Sequence, residues 1–337
     1  MTGGTYDLKV GYTCNNYCFH CVVEPNKKKY KVEHEDKSMD LTYGEIINLF
    51  NSSDFINSEQ VTLTGGEITL RKDFMRIIKY IHSHFPKKRI AIQTNGRLLK
   101  SYVEEIKNMG ANVFYVVALH STAEDIHNRI TDCKQVNGSP FKETWETLKE
   151  IKRVYGGFNK VARIEIVLSS LNLYNLPITI KELYENDICN IGVSYPHLDG
   201  FYLDDPVYAQ KIGFSYGELK KVLPEVYRYA KERPNLYLHF EKVPACMWRD
   251  EKNGLLASLD NLGSMEHGLN ENVTVTYPES TNNNFIQSYA NMHKKAAVCS
   301  SCAYSKCCLG VWFESIEMFG EDGFTPITNE ELNKGVA

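Results

Sequence analysis

Cysteines are the residues of this chain whose type and spacing point most directly to chemistry. Ten of them occur among 337 residues, and seven fall into two compact sets, Cys14–Cys21 and Cys299–Cys308. Thiolates are soft ligands that favour zinc or iron–sulfur centres. In a reducing cytosol, clustered cysteines indicate metal or cofactor ligands before they indicate disulfides. The sequence therefore predicts two metal sites at opposite ends of the chain.

The first set places three thiolates in one short loop, Cys14-x-x-x-Cys18-x-x-Cys21. A structural zinc ion takes four ligands, and His20 is poorly placed to complete such a site because it is adjacent to Cys21. Three thiolates suit a cubane cluster in which one iron has no protein ligand. Such an iron can bind a substrate or cofactor, which is a catalytic arrangement.

The second set has the spacing Cys299-x-x-Cys302-x5-Cys308, with Cys307 beside Cys308. Zinc ribbons share this pattern, so a zinc knuckle and an auxiliary iron–sulfur cluster are the two interpretations. Cys246 follows a predicted strand and is a candidate fourth ligand. Its alternative is a buried free cysteine.

Alternating strand and helix signals occupy the first 195 residues, repeated about every 30 residues. The strand signals lie at Tyr6–Tyr12, Val61–Thr64, Arg89–Thr94, Asn112–Leu119, Val161–Leu168 and Ile188–Tyr195. A capping box at Thr42 and Glu45 opens the first helix. This alternation predicts βαβ units with a parallel sheet, either open and doubly wound or curved into a partly closed barrel. After residue 197 the pattern changes to a helix near 215–232 and a strand near 237–243.

Loops at the carboxyl ends of the strands carry the chemistry in both architectures. Four segments follow predicted strands and are expected to converge, namely Cys14–Cys21, Gly65-Gly66-Glu67, Asn95-Gly96 and His120-Ser121. Taken alone, Gly65-Gly66 could be a simple turn. His120 could be a hydrogen-bonded core histidine.

Composition limits the class of protein. Hydrophobic residues make up 43% and charged residues 24%, which excludes global disorder. The net charge of -4 argues against a nucleic-acid binder, and the basic run Lys27–Lys31 is predicted to be a solvated loop. No apolar run approaches the ~18 residues of a membrane helix, and no secretory signal is visible. The sequence predicts a cytoplasmic protein in which Cys133 and Cys189 are buried without a role.

The motif Cys14-Asn15-Asn16-Tyr17-Cys18-Phe19-His20-Cys21 resembles the signature of radical S-adenosylmethionine (SAM) enzymes. Thr62–Glu67 is similar to the glycine-glycine-glutamate motif of that family, although Ile68 stands where a proline is usual. Gln93–Gly96 and Ala118–Ser121 add to the resemblance, which covers about residues 6–196. It implies a partial (β/α)6 barrel over residues 1–196 and a C-terminal extension over residues 197–337.

The resemblance also implies cofactors. Cys14, Cys18 and Cys21 would hold a [4Fe-4S] cluster whose open iron is chelated by the amine and carboxylate of SAM. An electron from a reductant such as flavodoxin or ferredoxin would then give a 5′-deoxyadenosyl radical, which removes hydrogen from an unactivated carbon.

The SAM contacts implied by the resemblance are Phe19, Gly65, Gly66, Glu67, Asn95, Glu165, Ser170, Ile191 and Val193. Among them, the two glycines would let the backbone approach the methionyl amine, and Glu67 would add a carboxylate to that cation. Ile191 and Val193 would form an apolar strip for the adenine. Alternatively, Glu165 pairs with Arg163 or Lys160.

The end of the chain resembles the shortened SPASM or twitch extension of peptide-modifying radical SAM enzymes, in which aromatic residues follow the cysteines. This resemblance implies a second [4Fe-4S] cluster, with the Leu-Gly that follows Cys308 favouring it over Cys307. Its ligands would be Cys246, Cys299, Cys302 and Cys308. The implied substrate is a ribosomally made peptide that is crosslinked, epimerised or given a thioether. The alternatives are a small metabolite or nucleoside, or a non-catalytic zinc protein.

Overall fold

The computed structural model describes residues 4–22, 40–131, 138–250, 254–255, 273–277, 280–282 and 292–334. The predictions for Lys27–Lys31 and Cys133 fall outside these ranges. None of the helices in the described ranges is long and apolar enough to cross a membrane.

The strands confirm the predicted α/β class. They are β1 (Thr5–Lys9), β2 (Gln60–Thr64), β3 (Arg89–Thr94), β4 (Val113–Ala118), β5 (Ala162–Val167), β6 (Asn190–Ser194), β7 (Tyr237–Glu241), β8 (Arg249–Asp250), β9 (Gly254–Leu255), β10 (Val273–Tyr277), β11 (Ser280–Asn282), β12 (His293–Lys294) and β13 (Val311–Trp312). One sheet has the order β11-β10-β1-β2-β3-β4-β5-β6-β7. The strands β1 to β7 follow one another in chain order, and the sheet does not close into a barrel. Of the two predicted architectures, the partial barrel is the one that agrees with this order.

Helices alternate with these strands. They are α1 (Tyr43–Leu49), α2 (Ser53–Asn57), α3 (Phe74–His84), α4 (Lys100–Met109), α5 (Glu124–Ile130), α6 (Pro140–Tyr155), α7 (Leu176–Glu185), α8 (Asp199–Asp204), α9 (Pro206–Ile212), α10 (Tyr216–Lys231), α11 (Phe313–Phe319) and α12 (Asn329–Lys334). The predicted capping box is present, because Thr42 and Glu45 exchange side-chain and backbone hydrogen bonds at the start of α1.

The described residues form two compact units. The first consists of the described residues within Met1–Leu119, His127–Ile164 and Asn270–Ile286. Its strands β1 to β4 pair in parallel, so that Leu8, Leu63, Ile92 and Tyr115 form one fully buried row. Because parallel strands in register end at the same level, the loops that follow β1, β2 and β3 lie together at one edge of the sheet.

The second unit is drawn from His120–Ile126, Glu165–Leu269 and Gln287–Ala337. It contains the parallel pair β6 and β7, the predicted helix α10, and the antiparallel pair β12 and β13 near the end of the chain. The strand predicted near 237–243 is β7. This division follows packing, and the functional boundary at residue 196 stays a prediction.

Candidate active site and second cysteine site

The three-cysteine loop follows β1, and backbone hydrogen bonds fix its course. The amides of Tyr17 and Phe19 donate to the carbonyls of Thr131 and Ile130, at 3.2 and 3.1 Å, next to the carboxyl end of α5. The amide of Cys21 donates to the carbonyl of Cys18 at 3.1 Å, which closes the turn between the last two cysteines. The loop is therefore anchored by main-chain contacts that do not depend on a bound metal.

The three thiols lie close enough to influence one another. Burial raises the pKa of the Cys18 thiol well above its ordinary value, and the neighbouring Cys21 and Cys14 raise it further. Three adjacent thiolates are unfavourable without a cation to offset their charge, and an iron cluster supplies one. The donor set therefore fits the predicted cluster.

The glycine pair packs on the segment that leads to the cysteines. The amide of Gly66 donates to the carbonyl of Gly11, and the amide of Glu67 donates to the carbonyl of Thr13, both at 2.8 Å. A Cβ atom at Gly65 would collide with the Gly11 carbonyl, and one at Gly66 with the Thr13 carbonyl. The absence of side chains at Gly65 and Gly66 thus lets this turn pack against the backbone of Gly11 and Thr13. Contact with the methionyl amine stays a prediction.

Glu67 is only 3% exposed, and its carboxylate is engaged within the protein. Oε1 accepts hydrogen bonds from the Thr69 amide at 3.0 Å, the Thr69 hydroxyl at 2.5 Å and the Thr94 hydroxyl at 2.7 Å. Oε2 accepts from the Asn95 amide at 2.7 Å. Glu67 therefore joins the loops after β2 and β3, and its contact with the SAM amine stays a prediction.

Asn95 connects the end of β3 to the cysteine loop. Its Nδ2 donates to Asn15 Oδ1 at 2.7 Å and lies 3.8 Å from the sulfur of Cys14. Three of the four segments that were expected to converge therefore do so within the first unit. His120 belongs to the second unit, where its Nδ1 accepts from the Val167 amide at 3.3 Å, in agreement with the core-histidine interpretation.

The sequence did not predict an ion pair beside this loop, in which a buried arginine meets a partly exposed glutamate. Arg97 contacts the segment between the first two cysteines and pairs with Glu143 of α6. The two residues are separated by 46 positions, so no local spacing signals their contact.

Glu165 and Ser170 lie in the second unit. Glu165 Oε1 accepts from the Ser194 hydroxyl at 2.8 Å, and a Cβ atom at Gly192 would collide with the same carboxylate. The Ser170 hydroxyl donates to the Lys211 carbonyl at 2.6 Å. Both side chains therefore have partners within the unit, and their contacts with SAM stay predictions.

Ile191 and Val193 share one face of β6 and are fully buried. Their contact with the adenine of SAM stays a prediction. Their fully buried face belongs to the core, whereas Gly192 on the other face of the strand meets Glu165. Phe19 is half-buried, with its ring 5.5 Å from that of His20.

The second cysteine set surrounds a partly open cavity of about 80 Å³ in the second unit. Its wall contains Cys246, Cys299, Cys302 and Cys308. Cys307 is exposed, and its sulfur points towards the Tyr304 carbonyl at 3.6 Å. The structure thus brings together the four cysteines that the resemblance implied and leaves Cys307 outside the wall.

The electrostatics agree with this grouping. Burial raises the pKa of Cys246 to about 12, and Cys299, Cys308 and Cys302 raise it as well. The amides of Gly310 and Ile327 donate to the sulfurs of Cys308 and Cys302, each at 3.4 Å.

The four thiols share the wall of one cavity. Among the described residues, no three cysteine, histidine or acidic side chains are grouped so that they could hold a single metal ion. Their number and their shared cavity fit the cubane that the resemblance implied.

Comparisons with known proteins extend these observations. The model of the radical SAM superfamily matches residues 8–168. The GTP 3′,8-cyclase of Haemophilus influenzae (strain PittEE) is 28% identical over 220 residues, which cover 61% of this chain and 60% of that protein. A probable GTP 3′,8-cyclase of Sulfurisphaera tokodaii is 28% identical over 245 residues, which cover 69% and 70%. The chain thus spans about 60% of the length of the first of these relatives.

Solved structures resemble the chain over nearly its whole length. The structure of anSMEcpe with bound AdoMet and Cp18Cys peptide covers 98% of this chain and 93% of that one, with a TM-score of 0.61 and 14% identity. Streptococcus suis SuiB bound to precursor peptide SuiA covers 96% and 76%, with a TM-score of 0.62 and 16% identity. At these identities the likeness shows a shared fold. The family match identifies residues 8–168, which include the three-cysteine loop, as a radical SAM superfamily domain.

Proposed function

We propose that this radical SAM enzyme binds two [4Fe-4S] clusters and modifies a ribosomally made peptide at an unactivated carbon. The first cluster is assigned to Cys14, Cys18 and Cys21, with SAM on its open iron. The second is assigned to the four cysteines that line the cavity of the second unit. The observation that carries the proposal is this cavity, where Cys246 meets three thiols that lie more than fifty residues further along the chain.

When bound and reduced, the first cluster and SAM supply the 5′-deoxyadenosyl radical that abstracts hydrogen. The chain's own residues hold and orient these groups. Glu67 joins the loops after β2 and β3, and Asn95 carries that connection to Cys14. The proposed electron donor is a separate protein such as flavodoxin or ferredoxin.

Four thiolate ligands at the second site would leave no iron of that cluster open. A fully ligated cluster suits electron transfer to or from a substrate, whereas an open iron suits direct substrate binding. We therefore assign the second cluster an electron-transfer role.

Two similarities support a peptide substrate. The fold shared with anSMEcpe and SuiB extends over the C-terminal segment, and both of those structures contain a peptide. The chain's second cysteine set also has the spacing of extensions found in peptide-modifying enzymes.

A nucleotide is the second candidate substrate, because the sequence relatives are GTP 3′,8-cyclases. Their similarity is higher in identity than that of the structural neighbours but covers less of the chain. GTP is therefore the alternative that an experiment must separate from a peptide.

The test uses anaerobically reconstituted protein, dithionite and SAM, with either GTP or synthetic peptides encoded by short reading frames beside the gene. We expect one peptide to increase 5′-deoxyadenosine formation above the slow rate without substrate and to change in mass or stereochemistry. We expect GTP to leave the rate unchanged. Formation of a cyclised nucleotide from GTP, with every peptide unchanged, would contradict the peptide proposal. The Cys14→Ala protein is the control for SAM cleavage that does not depend on the cluster.

A further inference from the structure

Arg97 lies just past the end of β3, and its side chain is only 7% exposed. Its Nη1 donates to the Asn15 carbonyl at 2.5 Å and to Asn16 Oδ1 at 3.2 Å. Both acceptors belong to the three residues between Cys14 and Cys18. The guanidinium group therefore lies against the interval that separates the first two cysteines.

Glu143 balances this buried charge. Arg97 Nε donates to Glu143 Oε2 at 2.5 Å, so the guanidinium uses one edge for the carboxylate and another nitrogen for the cysteine loop. A buried cation without a partner is costly, and the rigid fork of arginine lets it serve two groups at fixed angles. A lysine has no such fork.

The helix that carries Glu143 is itself fixed to the end of β3. The Thr144 hydroxyl donates to the Asn95 carbonyl at 2.7 Å, and the Thr147 hydroxyl donates to the Gly96 carbonyl at 2.6 Å. Both threonines are fully buried. Contacts thus run from α6 to the end of β3 and from there to the cysteine loop, which leaves Arg97 little freedom to move.

We propose that Arg97 is a positioning residue that holds the Cys14–Cys18 interval and places a positive charge beside the first cluster. The carboxylate of Glu143 partly offsets this positive charge, so it weakens the electrostatic effect of Arg97 on the cluster. This inference rests on the proposed first cluster. The reduced cluster carries one more negative charge than the oxidised one, so a nearby cation favours reduction.

The two partners should therefore have opposite effects on the reduction potential. Arg97→Met removes the cation and leaves the Glu143 carboxylate, so the ratio of reduced to oxidised cluster at a fixed potential should fall about tenfold, which corresponds to about 59 mV for a one-electron couple. Glu143→Gln keeps the hydrogen bond and removes the opposing charge, so the same ratio should rise about threefold. Arg97→Lys should keep a potential near that of the original protein but bind less iron, because it lacks the fork.

The measurement is an anaerobic redox titration followed by electron paramagnetic resonance, using the signal that changes when SAM is added. Arg153→Met is the control, because Arg153 pairs with Glu150 on an exposed helix surface and is 59% exposed. The control should leave the potential unchanged.

Equal potentials in all variants, or shifts of one sign in Arg97→Met and Glu143→Gln, would overturn the inference. If Arg97→Met fails to bind iron, the sign of the Glu143→Gln shift still decides the charge effect. A reconstituted original protein with no SAM-sensitive signal would overturn the proposed function instead, and this inference with it.

Discussion

The two cysteine sites are built in different ways. The first is one loop of the chain, held by main-chain hydrogen bonds and by the neighbouring strand ends. The second is assembled from Cys246 and a distant C-terminal segment around a cavity. A local site can keep its shape before a cluster binds, whereas an assembled site depends on the folding of the segments that meet there. We propose different functions for the two sites, namely SAM cleavage at the first and electron transfer at the second.

The largest effect is expected at the first site. Replacing Cys14 with alanine removes a direct ligand, so SAM cleavage should fall by more than the about 10–100-fold that loss of a supporting residue costs. The measurement is 5′-deoxyadenosine released by the dithionite-reduced protein without substrate. The variant with alanine at Cys14, Cys18 and Cys21 should keep about half of the iron. Cleavage at the original rate in the Cys14→Ala protein would contradict the assignment.

At the second site, the Cys299→Ala/Cys302→Ala protein should keep SAM cleavage without substrate and lose turnover of the true substrate. The reason is that two ligands of the second cluster are gone while the first loop is unchanged. Cys307→Ala is the matched control, because Cys307 is exposed and lies outside the cavity wall.

Cys307→Ala should behave like the original protein, whereas Cys308→Ala should resemble the double variant. The reverse pattern would mean that Cys307 is the ligand. Unchanged turnover in the double variant would mean that the second site is structural or binds zinc.

The two sites also differ in how much of their structure the sequence predicted. Spacing alone predicted the first loop and the strand ends beside it, because parallel strands bring their carboxyl ends to one edge. The choice of Cys308 over Cys307 depended on the resemblance of the Leu-Gly that follows it, and the fold agrees in that Cys308 lines the cavity and Cys307 does not.

Polar contacts between residues that are distant along the chain could not be predicted from the sequence either. The partners of Glu67 include Thr94, 27 residues away, and Arg97 meets Glu143 across 46 residues. The strand at Ile191 and Val193 was predicted correctly, but its apolar pattern did not tell whether those side chains faced a ligand or the core. Periodicity predicts which residues share a face and does not predict what that face meets.

A smaller effect is expected where the glycine loop packs on the first site. Gly66→Ala adds a Cβ atom that collides with the Thr13 carbonyl, and overpacking of this kind costs about 1–3 kcal/mol. The melting temperature and the iron content should both fall. Gly44→Ala is the matched control, because no atom beyond its chain neighbours and its own helix backbone lies within 4 Å of the added carbon and a helix favours alanine. Equal stability of the two variants would contradict this role of Gly66.

The smallest effect concerns Asp7 in β1, whose Oδ1 has no hydrogen-bond partner among the described residues. Burial raises the pKa of Asp7 from 3.8 to about 6, so the folded protein holds this proton more tightly than the unfolded chain. As the pH rises from about 4 to about 6, ionisation of this carboxyl lowers the free energy of unfolding. The loss is below about 3 kcal/mol, because part of the side chain stays in contact with solvent.

Asp7→Asn should accordingly be more stable than the original protein at pH 7, with a gap that shrinks as the pH falls to 5. Thermal unfolding of both proteins between pH 5 and 8 measures this gap. A gap that is independent of pH would contradict the raised pKa.

The central claim, that one chain holds two iron–sulfur clusters, is tested most directly by the metal content of the protein reconstituted without oxygen. Two cubanes predict about eight irons and an equal amount of acid-labile sulfide per chain. Stoichiometric zinc, with no iron-dependent absorbance, would contradict the account.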